Sequence, residues 1–305
     1  MANQGSNNIS GFAINSTTGA LTQISGSPFS AGTTPFSITV DPTGRFAYVA
    51  NNGSSNVSGY MINPTTGALT QISGSPFAAG TGPYTVRVHP SGEFAYVANQ
   101  TSGNVSVYTI NSVTGALTPI AGSPFAAGTN PSGIAINPAG SFAYVPNLST
   151  NNISIYAINS VTGALTQILG SPFASAGGPD GVAVDPTGQF VYVSNFGGDS
   201  VSGYTINSAT GALTQISGSP FAAGTINNKA TGTDGVPVAN SNFSENLLPF
   251  VAGRVGSTSV KYGAHGQNRT GTPREEPRIL SPVRLPIPPH EHFKDLELDS
   301  MTTYT

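Results

Sequence analysis

The chain has 305 residues, no cysteine, a formal net charge of −3 and only 8% charged residues. Average soluble domains carry roughly 25%, so electrostatic capture of nucleic acid or of an anionic membrane is excluded as the main mode of binding, and the missing thiols exclude disulfides and thiolate metal sites. No apolar run reaches the ~20 residues of a membrane-spanning helix, and no basic-then-apolar segment marks a signal peptide at Met1, which leaves the compartment open.

From the N-terminus, MANQGSNNIS (Met1–Ser10) aligns with VANNGSSNVS (Val49–Ser58), so Met1 stands where a later copy has Val. The expectation is a chain that enters partway through a repeat, as a slice of a longer array would. The phrase DPTGRFAYVAN (Asp41–Asn51) then returns as HPSGEFAYVAN from His89, NPAGSFAYVPN from Asn137 and DPTGQFVYVSN from Asp185, each start 48 residues after the last. TGALT keeps the same period, with Gly19, Gly67, Gly115, Gly163 and Gly211, and GSPF ends at Phe29, Phe77, Phe125, Phe173 and Phe221. A fixed period of this size marks a repeat architecture.

One unit contains four β-rich runs: Phe36–Val40, Phe46–Ala50, Asn56–Ile62 and Leu69–Ser73. Their β-branched and aromatic residues suit strands. Asp41-Pro42-Thr43-Gly44 supplies Pro for a fixed φ and Gly for a positive one, so the first two runs form a tight hairpin. Asn63-Pro64-Thr65-Thr66-Gly67 turns the chain between the third and fourth. Pairing in order, first to fourth, makes each unit a four-stranded antiparallel sheet. Such sheets repeated every 40–50 residues read as β-propeller blades that bury their faces against one another. The fold class is therefore all-β, with about four and a half blades, either an open arc of a larger propeller or a five-bladed ring. The paired aromatics Phe46/Tyr48, Phe94/Tyr96, Phe142/Tyr144 and Phe190/Tyr192 are the expected inter-blade core.

The repeats occupy residues 1–225. Residues 226–253 contain DGVPV (Asp234–Val238) and LLPFVAG (Leu247–Gly253), which could supply closing strands, although Pro237 suits only an edge or bulge. Residues 254–305 hold most of the Lys and Arg, with a proline-rich stretch from Thr272 to Phe293, and read as a disordered tail. Part of that wording resembles peptides translated from stable-RNA genes or shifted frames.

At FAYVAN, DPTG and TGALTQISGSPF the sequence resembles the YVTN-type β-propeller repeats of the bacterial lactonase family, whose members are often described as 6-phosphogluconolactonase-like. The resemblance covers about residues 1–225 and implies a propeller, seven-bladed in the well-studied members. It also implies lactone hydrolysis as an activity, but the matching motifs are turns and core positions, not reacting groups.

In near-identical repeats, departures from the pattern are the informative residues. Arg87 stands where the other units have Thr39, Ala135 and Ala183, and could meet an anion in the channel, or Glu93 on the neighbouring strand. His89 replaces the Asp or Asn that caps the first turn. Asp180, Asp199, Phe196 and the strand-end Asn51, Asn99, Asn147 and Asn195 gather on the opposite rim. Asp180 or Asp199 could act as base, with Arg87 as oxyanion or phosphate partner. The asparagines and Phe196 could present a neutral surface to a sugar or lactone, or the asparagines could simply cap their loops. No metal site is expected, since His290-Glu291-His292 lies in the tail, and no cofactor is implied. Two functions follow: a scaffold or binding module without catalysis of its own, or a lactonase. If the ring is open, exposed blade surfaces should drive self-association.

Overall fold

A computed structural model describes residues 1–224, and the expectations for 226–253 and for the tail, including His290-Glu291-His292, fall outside these residues. The first full unit contains strands Pro35–Val40, Phe46–Asn51 and Asn56–Ile62. They pair antiparallel in order, with Tyr48 opposite both Thr39 and Gly59. The next units repeat this pattern, except that the first strand of the third unit shrinks to Ala135–Ile136 plus an isolated bridge between Pro131 and Asn147. The described helical structure is one 3-10 turn, Phe196–Gly198.

The fourth strand departs from expectation. It runs as two pieces, Leu69–Gln71 and Phe77–Ala78, and both pair with Asn56–Ile62. Between them the chain leaves the ladder through Gly74, at φ +84, and the cis peptide Ser75–Pro76. The Gly59 N–H would be left without a ladder partner there, and the Ser75 hydroxyl accepts it at 2.9 Å. Ser27, Ser123, Ser171 and Ser219 do the same for Gly11, Val107, Ile155 and Gly203. GSPF is thus a strand interruption whose serine replaces a backbone hydrogen bond, and whose phenylalanine resumes the strand.

The turns follow their chemistry. Asp41 Oδ1 accepts the Arg45 and Phe46 N–H groups, both at 2.7 Å, and Gly44 takes φ +72. Asn63 Oδ1 accepts from Thr65 and Thr66. The segment before the first full unit forms the outer part of a further blade. Ala2–Asn3 pairs with Asn8–Ile9, and Phe12–Ile14 with Leu21–Gln23.

The core lies between blades. Phe46, Tyr48, Ala50 and Val57 of one blade pack with Val86, Val97, Tyr108, Ile110 and Leu117 of the next, and equivalent clusters join the following pairs. Hydrogen bonds stitch the interfaces between full blades in both directions. The Tyr48 hydroxyl donates to the Gly115 carbonyl at 2.8 Å, and the Tyr108 hydroxyl donates back to the Ala78 carbonyl at 2.6 Å. Tyr96 and Tyr144 reach Gly163 and Gly211 in the same way. The turn glycine is required at this contact. At Gly163 a Cβ would lie 2.5 Å from Phe94 Cδ1.

Candidate functional site on the inner strands

In the four full blades described, the first strand of each lies beside the first strand of the next. The Thr85 hydroxyl donates to the Ser132 carbonyl at 2.9 Å, and the Ser132 hydroxyl lies 3.0 Å from the Asp180 carbonyl oxygen and 3.2 Å from that of Pro179. A Cβ on Gly133 would stand 2.9 Å from the Asp180 carbonyl oxygen. Glycine here lets two backbones approach closely, which leaves little room for a regular first strand in the third blade.

These rungs align one repeat column: Phe36, Tyr84, Ser132 and Asp180, spaced by 48. The Phe36 and Tyr84 rings lie 4.3 Å apart, tilted by 36°. Asp180 is only 5% exposed. Burial pushes its carboxyl up to about 6, partly offset by the Ser132 hydroxyl. Its Oδ1 is buried and makes no hydrogen bond within the described residues. Burial also raises the Tyr84 phenol, and the Asp180 charge raises it further, so the two groups are electrostatic neighbours. Buried polar atoms are nearly always satisfied, and an orphan in a native fold calls for an explanation. The column therefore holds an acceptor without a donor on one blade and, two blades earlier, a buried phenol that the Asp180 charge helps keep protonated.

The other sequence candidates sit elsewhere. Asp199 ends the 3-10 turn with φ 44 and ψ 44, and its carbonyl accepts the Ala223 N–H. Its counterparts Asn7, Ser55, Gly103 and Asn151 share the positive φ, so the position is a left-handed turn in every unit. Phe196 is half-buried in that turn, with its N–H on the Gly178 carbonyl at 2.7 Å. Arg87 is half-buried opposite Tyr96, and Nη1 donates to the Val86 carbonyl at 3.2 Å. Asn51, Asn99, Asn147 and Asn195 are buried, and each Nδ2 donates to a pair of side-chain oxygens across the next strand, as Asn51 does to Asn56 and Ser58.

His89 does more than cap its turn. Its Nδ1 takes the Ser91 N–H, and its Nε2 reaches the Gly140 carbonyl of the next blade at 2.8 Å. A carbonyl can only accept, so the ring carries its proton on Nε2. Tyr84 and Ser132 were not singled out from the sequence. The signal was present, because the column Phe, Tyr, Ser, Asp changes chemical class from unit to unit beside the unchanging Pro35, Pro83, Pro131 and Pro179.

Four-stranded sheets packed face to face, with their first strands side by side, define a β-propeller. The family model described as a lactonase, 7-bladed beta-propeller, matches residues 1–79, 30–128 and 74–226, and the chain belongs to that family. No curated protein matches it. Among solved structures, a candidate 6-phosphogluconolactonase from Bacteroides fragilis NCTC 9343 superimposes with a TM-score of 0.65 at 21% identity, covering 73% of this chain and 67% of that one. Another from Bacteroides uniformis ATCC 8492 gives 0.63 at 20% identity, covering 71% and 66%. The periplasmic gluconolactonase of Pseudomonas aeruginosa gives 0.61 at 18%, covering 72% and 64%. The likeness is one of fold, and the chain spans about two thirds of each of these proteins' length.

Proposed function

We propose that this chain is a binding module for a neutral, hydroxyl-bearing small molecule of the sugar or sugar-lactone class, held at the Tyr84–Asp180 column, without catalysis of its own. The observation that carries this reading is the unpartnered, buried Asp180 Oδ1, whose charge is felt by the Tyr84 phenol of the same repeat column. One ligand hydroxyl can donate to the first and accept from the second. The apolar Phe36 ring against Tyr84 offers a surface for the C–H face of a sugar ring. Calorimetric titration with glucose and with glucono-δ-lactone tests it. Binding should be lost in Asp180→Ala and weakened at least tenfold in Tyr84→Phe. Unchanged affinity in both folded variants would refute the site.

A second reading, lactone hydrolysis, is favoured by the Asp180 carboxyl at about 6. A carboxylate poised near neutrality can take a proton from an attacking water, and a protonated Tyr84 can donate to the oxygen that gains charge as the carbonyl becomes tetrahedral. The water's oxygen forms the new acyl bond, the ring C–O bond breaks, and the leaving alkoxide regains the proton. Arg87 would serve a phosphorylated substrate under this reading, and Asp199 is the less buried alternative base. Turnover of glucono-δ-lactone above the uncatalysed rate, abolished by Asp180→Asn, would favour this reading over simple binding.

A further inference from the structure

The three interfaces between full blades among the described residues join the same two faces. One carries the second-strand Phe and Tyr, as in Phe46 and Tyr48. The other carries the third- and fourth-strand positions of Tyr108, Ile110 and Leu117, together with the turn glycine Gly115 that accepts from Tyr48. Both faces also occur uncovered among the described residues. Phe12, Ile14 and Leu21 are the counterparts of Tyr108, Ile110 and Leu117. They are 41%, 71% and 62% exposed where those are 2%, 8% and 6%. Gly19, the counterpart of Gly115, has nothing within 4 Å of a built Cβ, whereas Gly115 meets Phe46 at 2.5 Å.

At the other end Phe190 and Tyr192 are half-buried, while the three earlier pairs are buried, and Phe221 is exposed. The Tyr192 hydroxyl has no acceptor among the described residues, although Tyr48, Tyr96 and Tyr144 each have a glycine carbonyl. The two uncovered surfaces are thus the two halves of an interface that the chain itself makes repeatedly, down to a free donor on one and a vacant glycine turn on the other. Contiguous apolar surface of this kind marks an interaction site.

We propose that a second copy of this chain docks here head to tail, with Phe190, Tyr192 and Phe221 of one copy against Phe12, Ile14, Leu21 and Gly19 of the next. The Tyr192 hydroxyl then donates to the Gly19 carbonyl, and the Phe190 ring covers Gly19 as Phe46 covers Gly115. The contact is heterologous, so it leaves one of each face free and can propagate. It is independent of the ligand site.

Size-exclusion chromatography with light scattering on the full chain tests it, using one variant for each face. Gly19→Asn tolerates the positive φ and places its Cβ where the partner's Phe190 must pack, without touching its own chain. Phe221→Glu puts a charge on the opposite face. The unmodified protein should rise above its 30.9 kDa monomer mass with concentration. Each variant alone should lose the long oligomers, and an equimolar mixture should yield a complex of twice the monomer mass through the one intact pair of faces. An unmodified chain that stays monomeric throughout, as it would if residues 225–305 covered either face, overturns the proposal. So does a mixture that fails to associate more than either variant alone.

Discussion

The interfaces between blades can be weighed by placing the same substitution at two glycines of equal φ. Gly44 and Gly163 have φ of +72 and +74, so alanine at either position bears the same left-handed backbone cost, about 1 kcal/mol. Around Gly44 a Cβ meets nothing within 4 Å. At Gly163 it would lie 2.5 Å from Phe94 Cδ1 and 2.8 Å from Cε1, inside a buried interface that also holds the Tyr96 hydroxyl on the Gly163 carbonyl. Relieving that overlap means moving the Phe94 ring or separating two blades, and overpacking of this kind costs about 1–3 kcal/mol. Gly44→Ala should therefore lower stability by about 1 kcal/mol, and Gly163→Ala by about 2–4 kcal/mol. Urea unfolding followed by far-UV circular dichroism measures both, with a common slope required before midpoints are compared. Equal losses in the two variants would show that the interface yields freely there and would refute the tight inter-blade contact.

Asp180 sets a pH dependence. Its folded value of about 6 lies above the ordinary 3.8, so the native state binds the proton more tightly. The stability this contributes is complete below pH ~3.8 and is lost as pH rises through 6. The gap, at ~1.4 kcal/mol per pH unit, comes to about 3 kcal/mol. Asp180→Asn should thus gain up to that much over the unmodified protein between pH 3.5 and 7.5, read from paired urea titrations, and a constant difference would contradict the buried, unpaired carboxylate. Asp41 and Asp185 act in the opposite sense. Burial pushes them up, but hydrogen bonds from Thr43 or Thr187 and from nearby N–H groups hold both below the ordinary value, so stability from them is lost as pH falls. Ser123→Ala leaves the Val107 N–H without its acceptor and should cost about 1–2 kcal/mol, with faster hydrogen exchange at Val107. His89→Phe keeps the ring but loses both polar contacts and should cost about 1–3 kcal/mol. His89→Asp should recover the turn part of that loss and leave the Gly140 carbonyl unpaired.

Most of the fold was legible because turns and core repeat together. Asp or Asn (His89 in one turn) before Pro or a small residue, with Gly at a positive φ, fixes each hairpin, and the β-branched runs between them have the length of a strand. The split fourth strand was hidden because its second half depends on a tertiary substitution, a serine hydroxyl standing in for a ladder bond, which leaves no mark of hydrophobic alternation. Asp180 was read from sequence as a rim residue of the loop. Its equivalent Phe36 had already been assigned to a strand, and the structure places Asp180 within Pro179–Val184. The loop reading weighted the charge of the residue over the repeat position, and the position prevailed.

The distribution of variation bears on where the proposed site falls in so uniform a chain. The turn glycines are tied to a positive φ, the serines of the interrupted strand to a backbone hydrogen bond, and the strand-end asparagines to side-chain oxygens across the next strand. Changing any of them costs stability in its own blade. The second-strand Tyr reaches into the following blade, so a change there costs two blades at once. The start of the first strand carries neither duty. Its side chain faces neighbouring first strands across the rungs made by Thr85 and Ser132, and Phe36, Tyr84 and Asp180 fall at a register shift in their ladders, so no paired partner fixes the residue there. A symmetric array would present the same group from every blade and could not pair a donor with an acceptor. Divergence along the first strand, at this column and at that of Thr39, Arg87, Ala135 and Ala183, gives each blade its own groups, among them a phenol and a carboxylate that interact electrostatically, while the fold is carried by residues that stay the same.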